Sequence, residues 1–358
     1  MENELLELKS KLKKVETVVH KPNLEKMKEI PDEKVERMRN QFFEGGVQNW
    51  YNIVEPLTFK TLFIDLSLNA AKSLIKFNKE YSKTNEMIWN NIINDDFLCS
   101  LNKRINELIE EHNWSKYFIK LSVRSPKDSP LILKKGKEEF KKVYNSNPSK
   151  YITFEDKYKL FSSCVQNNFC VTSSKEAFEY MLSSKRVIED LDYALEKEND
   201  YDKFKIQVVL REWKEAIPIS NEFRGFVWKG KLNAIGQYYH IFSFPELFGR
   251  EEEIKENINK LFEEKLKQRL PKILEDCIVD FAFFDKDNIK IVELNPFDGY
   301  SIASFSGSTG LFLLDVPEDR KIIENGPLTL RILKEPIPEV KLKGRVDKLW
   351  MKELKEFI

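Results

Sequence analysis

The chain has 358 residues, with 59 Lys and Arg balanced by 59 Asp and Glu. This length is enough for one large domain or two modest ones, and the balanced charge gives no global field toward nucleic acid or a membrane surface. Four cysteines without a Cys-x-x-Cys pair and three histidines argue against a zinc site and indicate free thiols in a reducing compartment. With no basic, apolar leader and no long apolar run, we expect a soluble cytoplasmic protein that spans no membrane.

The N-terminal third is predicted to be helical and rich in aromatic residues. Residues 41–66 concentrate Phe, Trp and Tyr and predict a packed, loop-rich segment. Apolar periodicity predicts helices at 3–19, 31–39, 67–94 and 101–112. The first of these is expected to pack on its own domain, with a partner-binding coiled coil as the alternative. We therefore predict an N-terminal helical and aromatic-rich extension over residues 1–112.

The rest of the chain mixes short β-rich runs with helices, which is typical of an α+β fold. Runs of β-branched and aromatic residues predict strands at 117–123, 206–210, 222–228 and 232–237 and a hairpin over 277–297. Apolar residues at helical spacing predict helices at 174–200 and 251–270.

Two acidic residues are predicted to face each other on the last hairpin. Apolar runs flank a polar turn at 285–288, and symmetrical folding about this turn places Asp280 opposite Glu293. Asn295 shares the face of Glu293, because side chains alternate along a strand. Opposed carboxylates repel unless a cation lies between them, and Mg²⁺ takes one or two carboxylates together with substrate phosphates. The pattern predicts a Mg²⁺ site, with solvent-facing carboxylates as the alternative.

A second hairpin, turning at Lys229 and Gly230, also carries polar residues on one face. Alternation places Glu222 and Arg224 together, and symmetrical pairing puts Gln237 opposite Glu222. An acid, a guanidinium and an amide could hold ribose and phosphate. A surface ion pair is the alternative.

Two further strand ends carry candidate nucleotide contacts. Lys120, Arg124 and Lys127 crowd one strand end beside a Ser-Pro turn, as a phosphate or adenine site requires, although a lone strand lysine is usually solvated. Arg211 and Trp213 end an apolar strand of the kind whose backbone can contact adenine. An ordinary loop after a buried strand explains the second pattern equally well.

With these segments in this order, the chain resembles the cell division cycle protein 123 family, a divergent branch of the ATP-grasp enzymes. The resemblance covers roughly residues 115 to 335. It rests on Lys120-Leu121, Ser125-Pro126-Lys127-Asp128, Val209-Leu210-Arg211-Glu212-Trp213, Glu222-Phe223-Arg224-Gly225-Phe226-Val227, Val279-Asp280-Phe281 and Glu293-Leu294-Asn295-Pro296-Phe297. It implies an ATP-grasp fold, in which a smaller α+β subdomain over 113–210 and a larger one over 211–358 clasp ATP and Mg²⁺.

The resemblance also implies roles for individual residues. Lys120, Ser125 and Lys127 would contact the nucleotide, Arg211 and Trp213 would line the adenine pocket, Glu222 would bind the ribose, Arg224 the phosphates, and Asp280, Glu293 and Asn295 would bind Mg²⁺. Lys120 and Arg224 would be the catalytic cations. Family members often have an arginine at the position of Tyr238, and Arg124 is a candidate to replace that contact.

Three functions are compatible with this resemblance. The first is an ATP-dependent carboxylate-amine ligase acting on a protein or peptide, with Mg²⁺ and cations stabilising the transferring phosphoryl group. The alternative is an ATP-binding assembly chaperone with little turnover, since the eukaryotic family member assembles translation initiation factor 2 by binding its gamma subunit. The third is a noncatalytic interaction protein with a decayed nucleotide site, which the intact acidic set argues against.

Overall fold

The computed structural model describes residue 43 and residues 45–197, 205–297, 310–314 and 316–357. The helices predicted at 3–19 and 31–39 lie outside these residues. The strands are β1 Thr61–Asp65, β2 Tyr117–Leu121, β3 Cys170–Val171, β4 Gln207–Glu212, β5 Glu222–Trp228, β6 Lys231–Gln237, β7 Cys277–Asp285, β8 Asn288–Pro296 and β9 Thr329–Arg331. Mixed α+β architecture is therefore confirmed.

The helices of the described chain surround two sheets. They are α1 Val47–Val54, α2 Leu68–Thr84, α3 Trp89–Ile93, α4 Asp96–Glu111, α5 Pro130–Ser146, α6 Phe154–Asn167, α7 Ser174–Ser183, α8 Lys185–Lys197, α9 Glu251–Leu261, α10 Pro317–Asn325, α11 Glu339–Arg345 and α12 Lys348–Leu354. Side chains cap several of their N-termini. Asp95, for example, accepts a hydrogen bond from the backbone N–H of Leu98 at the start of α4. Across the described ranges, no helix combines the length and apolar character needed to cross a bilayer.

The first sheet has the strand order β1-β4-β2-β3, and all of its pairs are antiparallel. Its edge strand β1 comes from the segment that the sequence assigns to a helical extension, and Thr61 pairs with Arg211 in β4. The segment also contains α1, whose Trp50 and Val54 are buried. This part of the N-terminal region is thus built into the first sheet, because its alternating apolar residues complete an edge that β4 would otherwise expose.

The second sheet has the order β8-β7-β5-β6-β9, with β9 parallel to β6. The hairpin between β5 and β6 turns at Lys229 and Gly230, which both have positive φ (49° and 67°), as a two-residue hairpin turn requires. One bulge interrupts the pairing of β5 with β6, and two interrupt that of β7 with β8. These bulges decide which residues of the second sheet lie opposite each other.

One face of the second sheet joins the main hydrophobic core of the protein. Phe223, Val279, Phe281 and Leu294 are fully buried in this core, together with apolar residues around the first sheet. A smaller apolar cluster, centred on Phe226 and five other buried residues, lies apart from it. Because side chains alternate along each strand, the residues between these apolar positions lie on the other face of the second sheet. That face can therefore carry polar groups.

The C-terminal helices cross over to pack on helices of the first sheet. The indole of Trp350 in α12 lies 5.3 Å from the ring of Phe161 in α6. Phe357 lies 4.9 Å from Phe140 in α5, and Lys137 forms an ion pair with Glu353 at 2.7 Å. The chain end that follows the second sheet therefore stabilises the packing of the first.

We predict that Trp350→Ala lowers the free energy of unfolding by about 2 kcal/mol, because truncation removes ring contacts that the surrounding helices cannot refill. Urea denaturation followed by circular dichroism measures the change. Leu349→Ala is the matched control, since the neighbouring Leu349 side chain is 64% exposed and should contribute little. Equal unfolding midpoints for the two variants would show that α12 does not stabilise the first sheet.

Candidate functional site

A cleft of about 350 Å³ lies between the two sheets. Residues from β2, β4, β5 and β8 line it, together with an N-terminal segment at 58–60 and the loop that follows β4. Aromatic side chains form much of its wall: Phe59, Phe118, Phe169, Trp213, Tyr239 and Phe284. A cavity with aromatic walls and a few buried polar groups is the usual form of a small-molecule site.

A row of charged residues on the second sheet lies next to Glu222 and Val292, which line this cleft. Asp280 pairs directly with Glu293, as the sequence predicts, and Arg224 pairs with Asp280 on the other side. Asn295 lies opposite Ile278, two residues from Glu293 along β8. The predicted pairing of the hairpin is confirmed. Asp280 is only 2% exposed, so its carboxylate does not face open solvent, whereas the Glu293 side chain is 33% exposed.

Arg224 and Asp280 form a bidentate ion pair. The Nε and Nη2 atoms of Arg224 donate to the two carboxylate oxygens of Asp280, both at 2.8 Å. Burial opposes the charge of Arg224, but the attraction of Asp280 outweighs it and raises the pKa of the guanidinium. Arg224 therefore forms an ion pair, but this pair is buried and does not lie on the surface as the alternative assumed.

Lys120 and Glu293 form a second ion pair, which joins the two sheets. The Nζ atom of Lys120 in β2 donates to Oε1 of Glu293 in β8 at 2.8 Å. Lys120 is buried, whereas the Glu293 side chain is 33% exposed. Burial opposes ionisation of Glu293, but Lys120, Lys127 and Arg211 together lower the pKa of this carboxyl to about 2. Glu293 is thus charged throughout the physiological range.

Arg211 reaches the second sheet through the bulge in β8. Val292 has no partner in the β7 pairing, and its carbonyl accepts a hydrogen bond from Nη1 of Arg211 at 2.7 Å. Nε of Arg211 donates to the Thr61 hydroxyl at 3.3 Å, and the guanidinium lies 5.9 Å from the Phe59 ring. The Nη2 atom is buried without a hydrogen-bond partner. Arg211 therefore lines the cleft and joins the two sheets.

Glu222 and Lys127 meet on the inner wall of the cleft. Burial raises the pKa of Glu222 to about 7, although Lys127 and Arg224 favour its charged form. The ammonium group of Lys127 lies 5.3 Å from the Phe169 ring. Burial would lower the pKa of Lys127, but Tyr238 and Glu222 raise it. Lys127 is ionised, and the neighbouring Glu222 carboxyl titrates near neutrality. This part of the cleft wall therefore carries excess positive charge when Glu222 is protonated.

Two expectations drawn from the sequence are wrong in detail. Gln237 pairs with Phe223 and not with Glu222, because a bulge in β6 shifts the register by one residue. Its amide nitrogen donates to the carbonyls of Tyr239 and Phe242, and its oxygen accepts from the N–H of Leu333. The Gln237 amide therefore orders the loop after β6, and both of its N–H donors are already engaged there.

Arg124 does not replace the missing arginine at Tyr238. Its Nε atom lies 2.9 Å from both carboxylate oxygens of Asp190 in α8. Tyr238 itself lies against Arg224, with the guanidinium carbon 4.8 Å from the ring centre. Arg124 thus fixes the loop that carries Ser125 and Lys127 to α8, because a bidentate pair restrains both position and orientation.

The remaining predicted contacts occupy the expected region. Trp213 lines the cleft beside Phe118, with ring centres 6.3 Å apart, and Ser125 is buried on the loop after β2. Residues 58–60 were missed, because nothing in their sequence distinguishes cleft residues from linker. The Thr58 hydroxyl donates to the carbonyl of Ile291 at 2.7 Å, which attaches this segment to β8.

The donor set of the hairpin fits Mg²⁺. Asp280 and Glu293 offer opposed carboxylates, and Asn295 offers an amide oxygen on the face of Glu293. Within the described ranges, no three His, Cys, Asp and Glu side chains form a ready metal cage. Mg²⁺ does not need one, since it commonly takes one or two carboxylates and completes its shell with phosphates and water.

Part of the chain is similar to known proteins. Residues 162–307 match the family model described as D123. Over 93 residues the chain is 33% identical to the translation initiation factor eIF2 assembly protein of Xenopus laevis and 32% identical to that of Xenopus tropicalis. Each match covers 26% of this chain and 27% of the relative, so the chain spans about a quarter of the length of these curated relatives.

Two solved structures resemble the chain. C-terminally truncated Cdc123 from Schizosaccharomyces pombe is 20% identical, with a TM-score of 0.56 over 83% of this chain and 98% of that chain. Another Cdc123 structure from the same organism is 22% identical, with a TM-score of 0.49 over 75% of this chain and 88% of that chain. The truncated structure shows that the present chain shares the mixed α+β fold of Cdc123.

We predict that Glu222→Gln makes the protein more stable than the wild type above pH 7, by on the order of 1–3 kcal/mol, and equal to it near pH 4. The folded protein keeps the Glu222 proton up to about pH 7, whereas the unfolded chain releases it near ~4.3. Wild-type stability therefore falls as the pH rises between these values, and glutamine removes that loss.

Urea denaturation of both proteins from pH 4 to pH 8 measures the difference. Glu353→Gln is the control, since Glu353 lies outside the cleft in an ion pair with Lys137. Parallel stability profiles for Glu222→Gln and wild type would contradict the raised pKa of Glu222.

Proposed function

Because this chain belongs to the cell division cycle protein 123 family through residues 162–307, we propose that it binds ATP with Mg²⁺ and assists the assembly of translation initiation factor 2. The matched region contains Arg211, Glu222 and Arg224 and the hairpin with both carboxylates that would bind the metal. The observation that carries the nucleotide part is the cleft between the sheets, where opposed carboxylates and several cations meet beside aromatic walls.

The charges of the cleft suit a metal-bound triphosphate. Asp280, Glu293 and Asn295 would hold Mg²⁺, which neutralises phosphate charge when it is bound. Lys120, Lys127 and Arg224 supply cationic donors for phosphate oxygens. The aromatic wall around Trp213 and Phe118 offers flat apolar surface for a base. The ATP-grasp interpretation of the two sheets follows from this division of roles and belongs to the same proposal.

The assembly role rests on the relatives. Both Xenopus proteins are described as eIF2 assembly proteins, and their matches to this chain lie at 32–33% identity. This similarity supports an assembly factor over a carboxylate-amine ligase, although the sequence alone favours the ligase. In an assembly factor, the nucleotide would serve to hold the two sheets in one arrangement. In a ligase, Lys120 and Arg224 would stabilise a transferring phosphoryl group.

We predict Mg²⁺-dependent ATP binding that Glu293→Ala weakens at least tenfold, on the order of 1.4 kcal/mol, because the variant loses one of two carboxylate ligands. Isothermal titration with ATP, in Mg²⁺ and in EDTA, measures both effects. Glu353→Ala is the control, since it removes a carboxylate from an ion pair outside the cleft. Equal ATP affinity with and without Mg²⁺ would overturn the nucleotide part of the proposal.

We also predict that the purified chain binds the isolated gamma subunit of translation initiation factor 2, and binds it more tightly with ATP and Mg²⁺ than without. Size-exclusion chromatography and calorimetry measure the complex. Wild-type protein that ignores the gamma subunit, yet releases ADP and modifies an added peptide mixture, would instead establish the ligase. Mass spectrometry of the peptides identifies that outcome.

A further inference from the structure

The structure pairs each predicted metal-binding carboxylate with a cation that the proposed function assigns to phosphate. Arg224 holds Asp280 through two hydrogen bonds of 2.8 Å. Lys120 holds Glu293 through one hydrogen bond of 2.8 Å. The groups that a metal ion and a triphosphate would each require are therefore bound to one another.

Loss of one partner from either ion pair is energetically unfavourable. The side chains of Lys120 and Arg224 are 5% and 6% exposed, and that of Asp280 is 2% exposed. A buried charge without a partner carries a large desolvation penalty. A metal ion arriving alone at Glu293 would displace Lys120 and leave its ammonium unpaired. Phosphate arriving alone at Lys120 would leave the Glu293 carboxylate beside a new negative charge.

We propose that these ion pairs make the cleft bind divalent metal and nucleotide only together. The inference rests on the proposed function, and it concerns how Lys120 and Glu293 mask each other. When both ligands enter, each carboxylate faces a cation and each cation faces an anion, so no buried charge remains unpaired. Thermodynamic linkage then requires the nucleotide to raise metal affinity by the same factor as the metal raises nucleotide affinity.

Masking predicts a gain in affinity where a simple ligand role predicts no change. If Lys120 only attracted phosphate, its removal would weaken nucleotide binding and leave the metal unaffected. If Glu293 only bound metal, its removal would leave metal-free nucleotide binding unchanged. Under masking, removing either member frees the other for its own ligand.

The contact between Lys120 and Glu293 is the better one to test. Glu293 is 33% exposed, so its carboxylate can be rehydrated when Lys120 is removed. Arg224 and Asp280 are both fully enclosed, and removing one of them would endanger folding. Lys127 and Arg211 stay near Glu293 in any Lys120 variant and limit the size of the gain.

The first experiment measures Mn²⁺ binding to nucleotide-free protein by electron paramagnetic resonance. Lys120→Met should bind Mn²⁺ about tenfold more tightly than wild type, although its affinity for Mn²⁺-ATP should fall. Lys137→Met is the matched control, because it breaks a Lys–Glu pair of 2.7 Å outside the cleft. The control should bind Mn²⁺ as weakly as wild type.

The second experiment measures ATP binding in EDTA by calorimetry. Glu293→Gln should bind metal-free ATP at least fivefold more tightly than wild type, because Lys120 is released toward phosphate. Glutamine keeps the size and hydrogen-bonding capacity of Glu293, so this variant preserves the test if Lys120→Met fails to fold. Glu353→Gln serves as its control and should match wild type.

The outcomes separate the two proposals. The coupling is supported if both variants gain the predicted affinity and the wild type binds Mn²⁺ tightly only together with ATP. Wild-type protein that binds Mn²⁺-ATP, with no gain in any folded variant, overturns the coupling and leaves the proposed function intact. Wild-type protein that binds no ATP with or without metal overturns the proposed nucleotide site and the coupling with it.

Discussion

The ion pair between Lys120 and Glu293 connects two sheets that are otherwise built from separate parts of the chain. Lys120 is buried on β2, and a charge in that position needs an opposite charge within reach. Glu293, whose side chain is 33% exposed, supplies it from β8. This contact therefore ties the two sheets together beside the cleft. The Arg211 hydrogen bond to the Val292 carbonyl joins the same sheets one residue away.

Irregularities in the sheets give the cleft its chemistry. The bulge at Val292 releases a carbonyl for Arg211 and still keeps Asp280 opposite Glu293. A second bulge, in β6, sets Gln237 opposite Phe223, where its amide orders the loop toward Leu333. The bulges at Phe284 in β7 and at Val292 in β8 compensate each other, so Asp280 stays opposite Glu293. The single bulge in β6 has no such compensation and shifts the register of that hairpin by one residue. The bulges thus belong to the site as much as the charged residues do.

Residues near both ends of the described chain pack on parts of the fold that are distant in sequence. Thr58 contacts β8, and β1 continues from it as an edge of the first sheet. At the other end, Trp350 packs on α6 after the chain has left the second sheet. Lys120 and Lys127 also lie before residue 162, where the D123 match begins. The matched region supplies both carboxylates together with Arg224, and the chain before it supplies Lys120, the partner of Glu293.

Local patterns in the sequence predicted β2, β4 and the two hairpins, because alternation and turn chemistry act over a few residues, but they did not predict β1. The opposition of Asp280 and Glu293 followed from counting outward from one turn, and it survives because the two bulges of this hairpin compensate each other. The predicted register at Gln237 is wrong, because the amino-acid composition does not reveal the bulge in β6. Only the tertiary structure decided that Lys120 meets Glu293, because 173 residues separate them and no local pattern links their strands. It also decided that Arg124 binds Asp190, a choice set by the packing of α8 beside the loop.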